Sequence, residues 1–220
     1  SDVYRVPWNF DDEAVENSRK YVNLKLSLMP YLYTQAAHSA HYGNPLMRPM
    51  WFEFGDDYNT HTIANQYMFG SQILVAPVFN PEGNVHFYLP AGKWTSIVQD
   101  GEHYEVVAGG QWLNKHYDEL HLPVLARDNT ILVMRDKPEH ADYDYTKDVN
   151  IHLFDMHEGE TKVQVVNNHG EDAAEVVVTR QGNQFTVKTT GLSGDLTVTV
   201  HENGQVQNEE MENGMSEFTL

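Results

Sequence analysis

The chain has 220 residues, 14 Lys and Arg against 32 Asp and Glu, and no cysteine. The formal charge of −18 argues against nucleic-acid or anionic-membrane binding through a basic patch. The missing cysteines exclude disulfides, thiolate metal sites and a cysteine nucleophile, and the absence of any 18-residue apolar run argues against a membrane-spanning helix.

The first residues read SDVYRVPWNFDDEA. They carry no basic segment followed by an apolar one, so no secretory signal is read here, and a cytoplasmic location fits. Tyr4, Arg5 and Trp8 resemble the inside of a loop more than a free terminus, which is usually small and polar. Asn9 is the expected N-cap of a helix whose first turn holds Asp11, Asp12 and Glu13, anions favoured there by the helix dipole. Val15, Val22, Leu26, Met29, Tyr33, Ala36 and Ala40 follow at helical spacing, and Leu24, Leu28 and Leu32 widen the apolar face. Pro30 must kink or restart the helix, and Gly43 with Pro45 stops it. One kinked helix or two in tandem are expected over about 10–42. Within this chain such a wide face has little to pack against, which points to a missing neighbour.

Beyond Pro45 the period changes. MRPMWFEF, QILVAPVF, VHFYLP and TILVM read as strands, some of them apolar on both faces. IANQYMFG reads as a short helical turn. KPEHADYDYTKD reads as a polar linker. VNIHLFD, TKVQVVN, AEVVVTR, QFTVKTT, DLTVTVH and SEFTL then alternate cleanly, with Gly182-Asn183 as a hairpin turn. The expected fold is mainly β: a long N-terminal helical region over 1–44, a β-sandwich over 45–137 and a second antiparallel β-sandwich over 138–220.

Candidate chemistry is sparse. His38 and His41 lie three apart on the helix without an intervening glutamate, and His116 and His121 lack a third ligand. No nucleophile elbow or glycine-rich phosphate loop is present. A glycosidase needs two carboxylates across a sugar bond. Glu53, Asp56, Asp57, Asp142 and Asp144 are the candidates, and loop or capping roles account for them more simply. Trp51, Trp94 and Trp112 could stack on sugar rings, but core or interdomain packing explains their strand patterns. The residues alone assign no catalytic, cofactor-binding or metal-ligating position.

One long string is specific. LMPYLYTQAAHSAHYGNPLMRPMWFEFGDD resembles a segment of glycoside hydrolase family 31. The match runs through Pro30, Tyr31, Leu32, Tyr33, Gly43, Pro45, Met47, Arg48, Pro49, Glu53, Phe54, Asp56 and Asp57, with Gly55 where the family has proline. QYMFGSQILVAPVF and FYLPAGKW are similar to further family blocks. PVLARDNTILVM and YRVPW are closer to the bacterial α-xylosidase branch than to the α-glucosidases. The last eighty residues match in type only, as a distal β-domain. The resemblance implies a (β/α)₈ catalytic barrel upstream, with residues 1–44 supplying its last loop and helix, and the two sandwiches following. It also implies a retaining mechanism whose two aspartates, and a sugar-binding histidine just ahead of YRVPW, lie outside this chain. Arg5 and Trp8 would then organise a loop near the chemistry. On this reading the partners are the upstream barrel and, for the parent, an α-xyloside or α-glucoside. No cofactor, nucleic acid or membrane is expected, and homo-oligomerisation stays open. A stand-alone carbohydrate-binding module and a dimerisation module through the apolar helix face are the competing readings.

Overall fold

A computed structural model describes residues 4–98, 104–136, 138–212 and 214–219, so Ser1, Asp2 and Val3 of the opening stretch lie outside the described residues. A 3₁₀ turn at Pro7–Asn9 leads into α1 (Asp12–Ser27). The N-cap is Asp11, not Asn9: Asp11 Oδ1 accepts from Ala14 N at 2.7 Å. Pro7, with its fixed φ, draws Asn9 into the preceding turn, where Asn9 Nδ2 donates to Tyr4 O at 2.9 Å. The helical region is two helices in tandem. α2 (Met29–Tyr42) follows after the single residue Leu28, and Pro30 sits in its first turn, where its missing N–H costs nothing. Gly43, at φ +79°, closes α2 by donating to Ser39 O.

The segment expected as one strand from Met47 onward divides. β1 (Met47–Pro49) gives way at Pro49 to a four-residue helix, α3 (Met50–Glu53). The expected helical turn around Tyr67 is instead β2 (Tyr67–Phe69), and the local helix lies earlier, as a 3₁₀ turn at Tyr58–Thr62 capped by Asp57. β3 (Ile73–Val75), β4 (Asn84–Leu89), β5 (Lys93–Ser96), β6 (Val106–Ala108), β7 (Gln111–His116), β8 (Val124–Arg127) and β9 (Thr130–Met134) follow. Then come β10 (Asn150–Phe154), β11 (Gly159–Val166), β12 (Asp172–Gln181), β13 (Gln184–Thr190), β14 (Thr197–Glu202), β15 (Gln205–Glu210) and β16 (Met215–Thr219).

The fold is mostly β. A six-stranded sheet, β1-β2-β3-β8-β5-β6, faces the β4-β7 ribbon across a core of Met68, Leu74, Phe87, Leu89 and Trp94. The sheets β15-β14-β10-β9 and β11-β12-β13-β16 face one another across Ile151, Leu153, Val176, Val187 and Val198. Between the described strands pairing is antiparallel except for β10 and β14, which run parallel, and an isolated bridge from Lys147 to Ser193 is parallel too. β9 hydrogen-bonds to β10 in register. It therefore belongs to the sheet built from later strands, although it precedes the polar segment.

The uniformly apolar strands are buried on both faces, as such runs imply. On β9, Ile131 and Val133 enter the distal core, while Leu132 and Met134 turn to a third core under the helices. On β3, Leu74 points one way and Ile73 and Val75 the other. This third core changes the sequence expectation about the helices. Leu28, Tyr31 and Leu32 are buried against Ile73, Val75, Val124 and Leu132, with Tyr21 and Leu24 packed at the margin. The segment from Leu28 to Leu32 thus finds apolar cover inside this chain, whereas α1 buries none of its residues. The segment expected as a polar linker is also anchored: Tyr143 and Tyr145 are buried, and Tyr143 Oη donates to Leu26 O at 2.7 Å.

The hairpin at Gly182-Asn183 joins β12 to β13 with Gly182 at φ +60°. A second two-residue turn, Asn203-Gly204, joins β14 to β15 with both residues at positive φ, the geometry that favours this dipeptide.

Candidate functional site

The string that carries the resemblance folds around one buried cation. Arg48 is 6% exposed, on β1 beneath α2. It pairs with Glu53 of α3, donates to Gln35 Oε1 of α2 at 3.1 Å and reaches back to Pro45 O at 2.8 Å. Pro49 turns the chain from β1 into α3, and that turn brings Glu53 back over Arg48. The motif therefore acts as a joint. It fastens the end of the helix pair to the first strand of the six-stranded sheet, with the guanidinium fully engaged.

Tyr31 reinforces the joint. Its hydroxyl donates to Phe69 O at 2.8 Å and accepts from Gln72 N at 3.1 Å. Burial raises its pKa well above the usual tyrosine range, so it stays neutral. Gly70, at φ +65°, lies so close to Tyr31 Oη and Gln35 that a Cβ would collide with both. Thr34 extends the fastening to the distal sheets, its Oγ1 donating to Pro30 O and accepting from Val166 N at 3.1 Å.

The candidate acids do not form a pair across a substrate gap. Glu53 is taken by Arg48. Asp57 accepts from Tyr88 Oη at 2.6 Å and from Asn59, and the Tyr88 hydrogen bond, followed by those of Asn59, holds its carboxyl below the usual range. Asp144 caps its own turn through Thr146, and Asp142 accepts from Asn168. Asp56 is exposed on the loop between α3 and the 3₁₀ turn. Among the described residues no group of three or more His, Asp or Glu could hold a metal ion. His38 and His41 instead make edge contacts with Tyr42. His116 and His121 line a cavity of about 480 Å³, where His121 Nδ1 meets Asp118 at 2.5 Å.

The tryptophans divide. Trp94 is core, its Nε1 bonded to Pro90 O at 2.8 Å. Trp51 is exposed against Phe52, and Trp112 is exposed and stacked on His86 at 4.7 Å. They belong to a larger set of uncovered apolar side chains. Tyr4, Trp8, Phe10, Tyr58 and Phe79 are each at least 69% exposed. Single exposed apolar residues are ordinary, but three tryptophans and four other large rings bared at once are not.

Two groups had no sequence signal. Asp155 is buried where β10 ends. It accepts from Thr95 Oγ1, Lys93 Nζ and Asn203 N and so ties the six-stranded sheet to the β14–β15 turn. His152 and His201 face each other on neighbouring β10 and β14, with Nδ1 of the first 3.0 Å from Nε2 of the second. Their other ring nitrogens are buried and have no hydrogen-bond partner among the described residues. Only the parallel register of those strands reveals the pair.

Comparison with known proteins follows the same division of the chain. Residues 1–35 match the glycosyl hydrolases family 31 TIM-barrel domain, residues 43–132 the glycosyl hydrolase family 31 C-terminal domain, and residues 144–219 the C-terminal domain of the α-xylosidase YicI. The α-xylosidase XylQ of Lactiplantibacillus pentosus is 59% identical over the whole chain, which spans 29% of that relative's length. An α-xylosidase of Emericella nidulans is 33% identical over 90% of the chain and 28% of its own length. Among solved structures, the cycloalternan-forming enzyme of Listeria monocytogenes superposes with a TM-score of 0.78 at 25% identity, over 89% of this chain and 19% of that one. The chain thus spans less than a third of the length of these relatives.

Proposed function

The chain belongs to glycoside hydrolase family 31, and on that premise we propose that it is the C-terminal part of a retaining α-xylosidase. The observation that carries the reading is the distal segment. Residues 144–219 match an α-xylosidase C-terminal domain specifically, and identity to an α-xylosidase holds at 59% across the full chain. In this reading the chemistry of cleaving a terminal α-xylosyl bond belongs to two aspartates on an upstream barrel. This chain contributes the last barrel helices and the sandwiches that hold them.

The physical role is to buttress. α1 and α2 are fixed from one side by the third core, by the Arg48–Glu53–Gln35 joint and by Thr34. A barrel that packs on the other side meets a surface already rigid. The bared rings Tyr4, Trp8 and Phe10, immediately ahead of α1, are where barrel contacts are expected. Such rings bury large areas when covered. The intact enzyme then takes an α-xyloside, with an α-glucoside as the competing substrate.

The test is a replacement. The corresponding segment of the L. pentosus α-xylosidase is exchanged for this chain, and hydrolysis of p-nitrophenyl α-D-xyloside and α-D-glucoside is compared. A hybrid that keeps kcat/KM for the xyloside within about tenfold of its parent supports the proposal. A hybrid that folds but has lost activity, or whose preference has moved to the glucoside, overturns it.

A further inference from the structure

A cavity of about 450 Å³ lies where three parts of the fold meet, within the size range of small-molecule sites. Gln35 and His38 of α2 line one wall, Ser71 and Gln72 of the β2–β3 turn a second, and Lys162 of β11 stands at the third. The Arg48 joint closes its inner end.

The lining holds unused donors. Gln35 Oε1 accepts from Arg48, and Gln72 Oε1 accepts from Arg127 Nε at 2.9 Å and Thr130 Oγ1 at 2.8 Å. Those donors fix which end of each amide is oxygen. Each remaining NH₂ therefore has protons to give. Among the described residues neither amide nitrogen has an acceptor, and neither is sealed from solvent. Lys162 likewise has no ion pair or hydrogen bond among the described residues.

The local charge points the same way. At Tyr31 Oη, on the cavity wall, two guanidiniums (Arg48 and Arg127) act against one carboxylate, Glu53. Arg48 on the inner wall is already paired with Glu53, so Lys162 is the lining cation without an ion pair among the described residues, in a chain of net charge −18. Amide donors without acceptors beside one unpaired ammonium suit an acceptor-rich anion. A single ammonium with two amide NH₂ groups matches a carboxylate better than a phosphate, whose second charge would have no free cation here.

We propose that this junction binds a small hydroxylated carboxylate, held by Lys162 and the amide groups of Gln35 and Gln72, and that its occupation clamps α2, the six-stranded sheet and β11 together. The proposal is independent of the α-xylosidase reading, because none of these residues is assigned to the chemistry.

The probe is sodium gluconate, titrated calorimetrically into the 220-residue chain at constant ionic strength, with glucose and sodium sulfate in parallel. Saturable gluconate binding is expected, at least about tenfold weaker in Lys162→Met and largely retained in Lys162→Arg. The side-chain NH₂ resonances of Gln35 and Gln72 are expected to shift during the titration. Lys162 is on an exposed strand position, so both variants are expected to fold, and urea midpoints equal to the parent's check it. Absence of saturable binding overturns the proposal. So does gluconate binding undiminished in Lys162→Met, or equal binding of glucose or sulfate.

Discussion

Lowering the pH from about 7 to about 4.5 is expected to cost this chain several kcal/mol of stability through one pair of side chains. His152 and His201 are neutral in the folded protein. Burial pushes the first from an ordinary 6.5 down to about 4, and burial with the neighbouring His152 pushes the second to about 3. Asp155 pulls the other way on His201 and does not reverse it. Phe154 and Tyr104 supply the remaining ring contacts. In the unfolded chain both imidazoles titrate near 6.5. A base whose folded pKa is depressed stabilises fully above its unfolded pKa, and that stability is lost as pH falls, because protons bind the unfolded chain first. The loss runs from about pH 6.5 down to about pH 4 for His152 and about pH 3 for His201, and then levels off. At pH 4.5, about two pH units below the unfolded pKa, this gives about 2–3 kcal/mol per imidazole, and on the order of 5 kcal/mol for the two. The assay is urea unfolding followed by tryptophan fluorescence across this range, on the parent and on the double variant His152→Phe/His201→Phe. The parent midpoint should fall steeply below pH 6.5, and the variant's curve should be nearly flat until its carboxylates titrate. An equally steep fall in the variant would refute the reasoning.

Three substitutions probe the joint that fastens the helices. Arg48→Met strands the Glu53 carboxylate in a site where both partners are largely buried and should cost about 3–5 kcal/mol, read as a drop in the urea midpoint. Gly70→Ala forces a non-glycine residue to φ +65° against Tyr31 and Gln35 and should lower stability by about 2–4 kcal/mol in thermal melts. Thr34→Val keeps shape but leaves the buried Val166 N–H unpaired, for a loss of about 1–3 kcal/mol and faster exchange of that amide.

The elements that were legible in the sequence are those whose signals are local. Pro30 and Gly43 mark the restart and the end of the helices, and the alternation in β12 matches its burial pattern. The continuous apolar run of β9 is legible as burial on both faces, although the pattern does not say which sheet it joins; only the pairing with β10 does. The misread segments are those where one residue redirects the chain. Pro49 turns a strand pattern into α3, and Pro7 displaces the cap from Asn9 to Asp11. β15 was missed because QVQNEE is polar and lies at a sheet edge, with little to bury. The buried Tyr143 and Tyr145 were hidden by their charged neighbours. At the site, the joint motif was visible as a string, but its role was not. Arg48 meets Glu53 and Gln35 only after α3 folds back under α2. The His152–His201 and Lys93–Asp155 contacts join residues more than forty positions apart, and no spacing rule reaches that far.

The central proposal is that this chain supports, and does not perform, glycoside hydrolysis. Its most direct test is the rate at which the pure 220-residue protein releases p-nitrophenol from p-nitrophenyl α-D-xyloside. The account predicts no turnover above the buffer rate at any pH at which the chain is folded. Saturable turnover that co-purifies with the chain and falls on substitution of its own carboxylates, Glu53 or Asp57 among them, would contradict it.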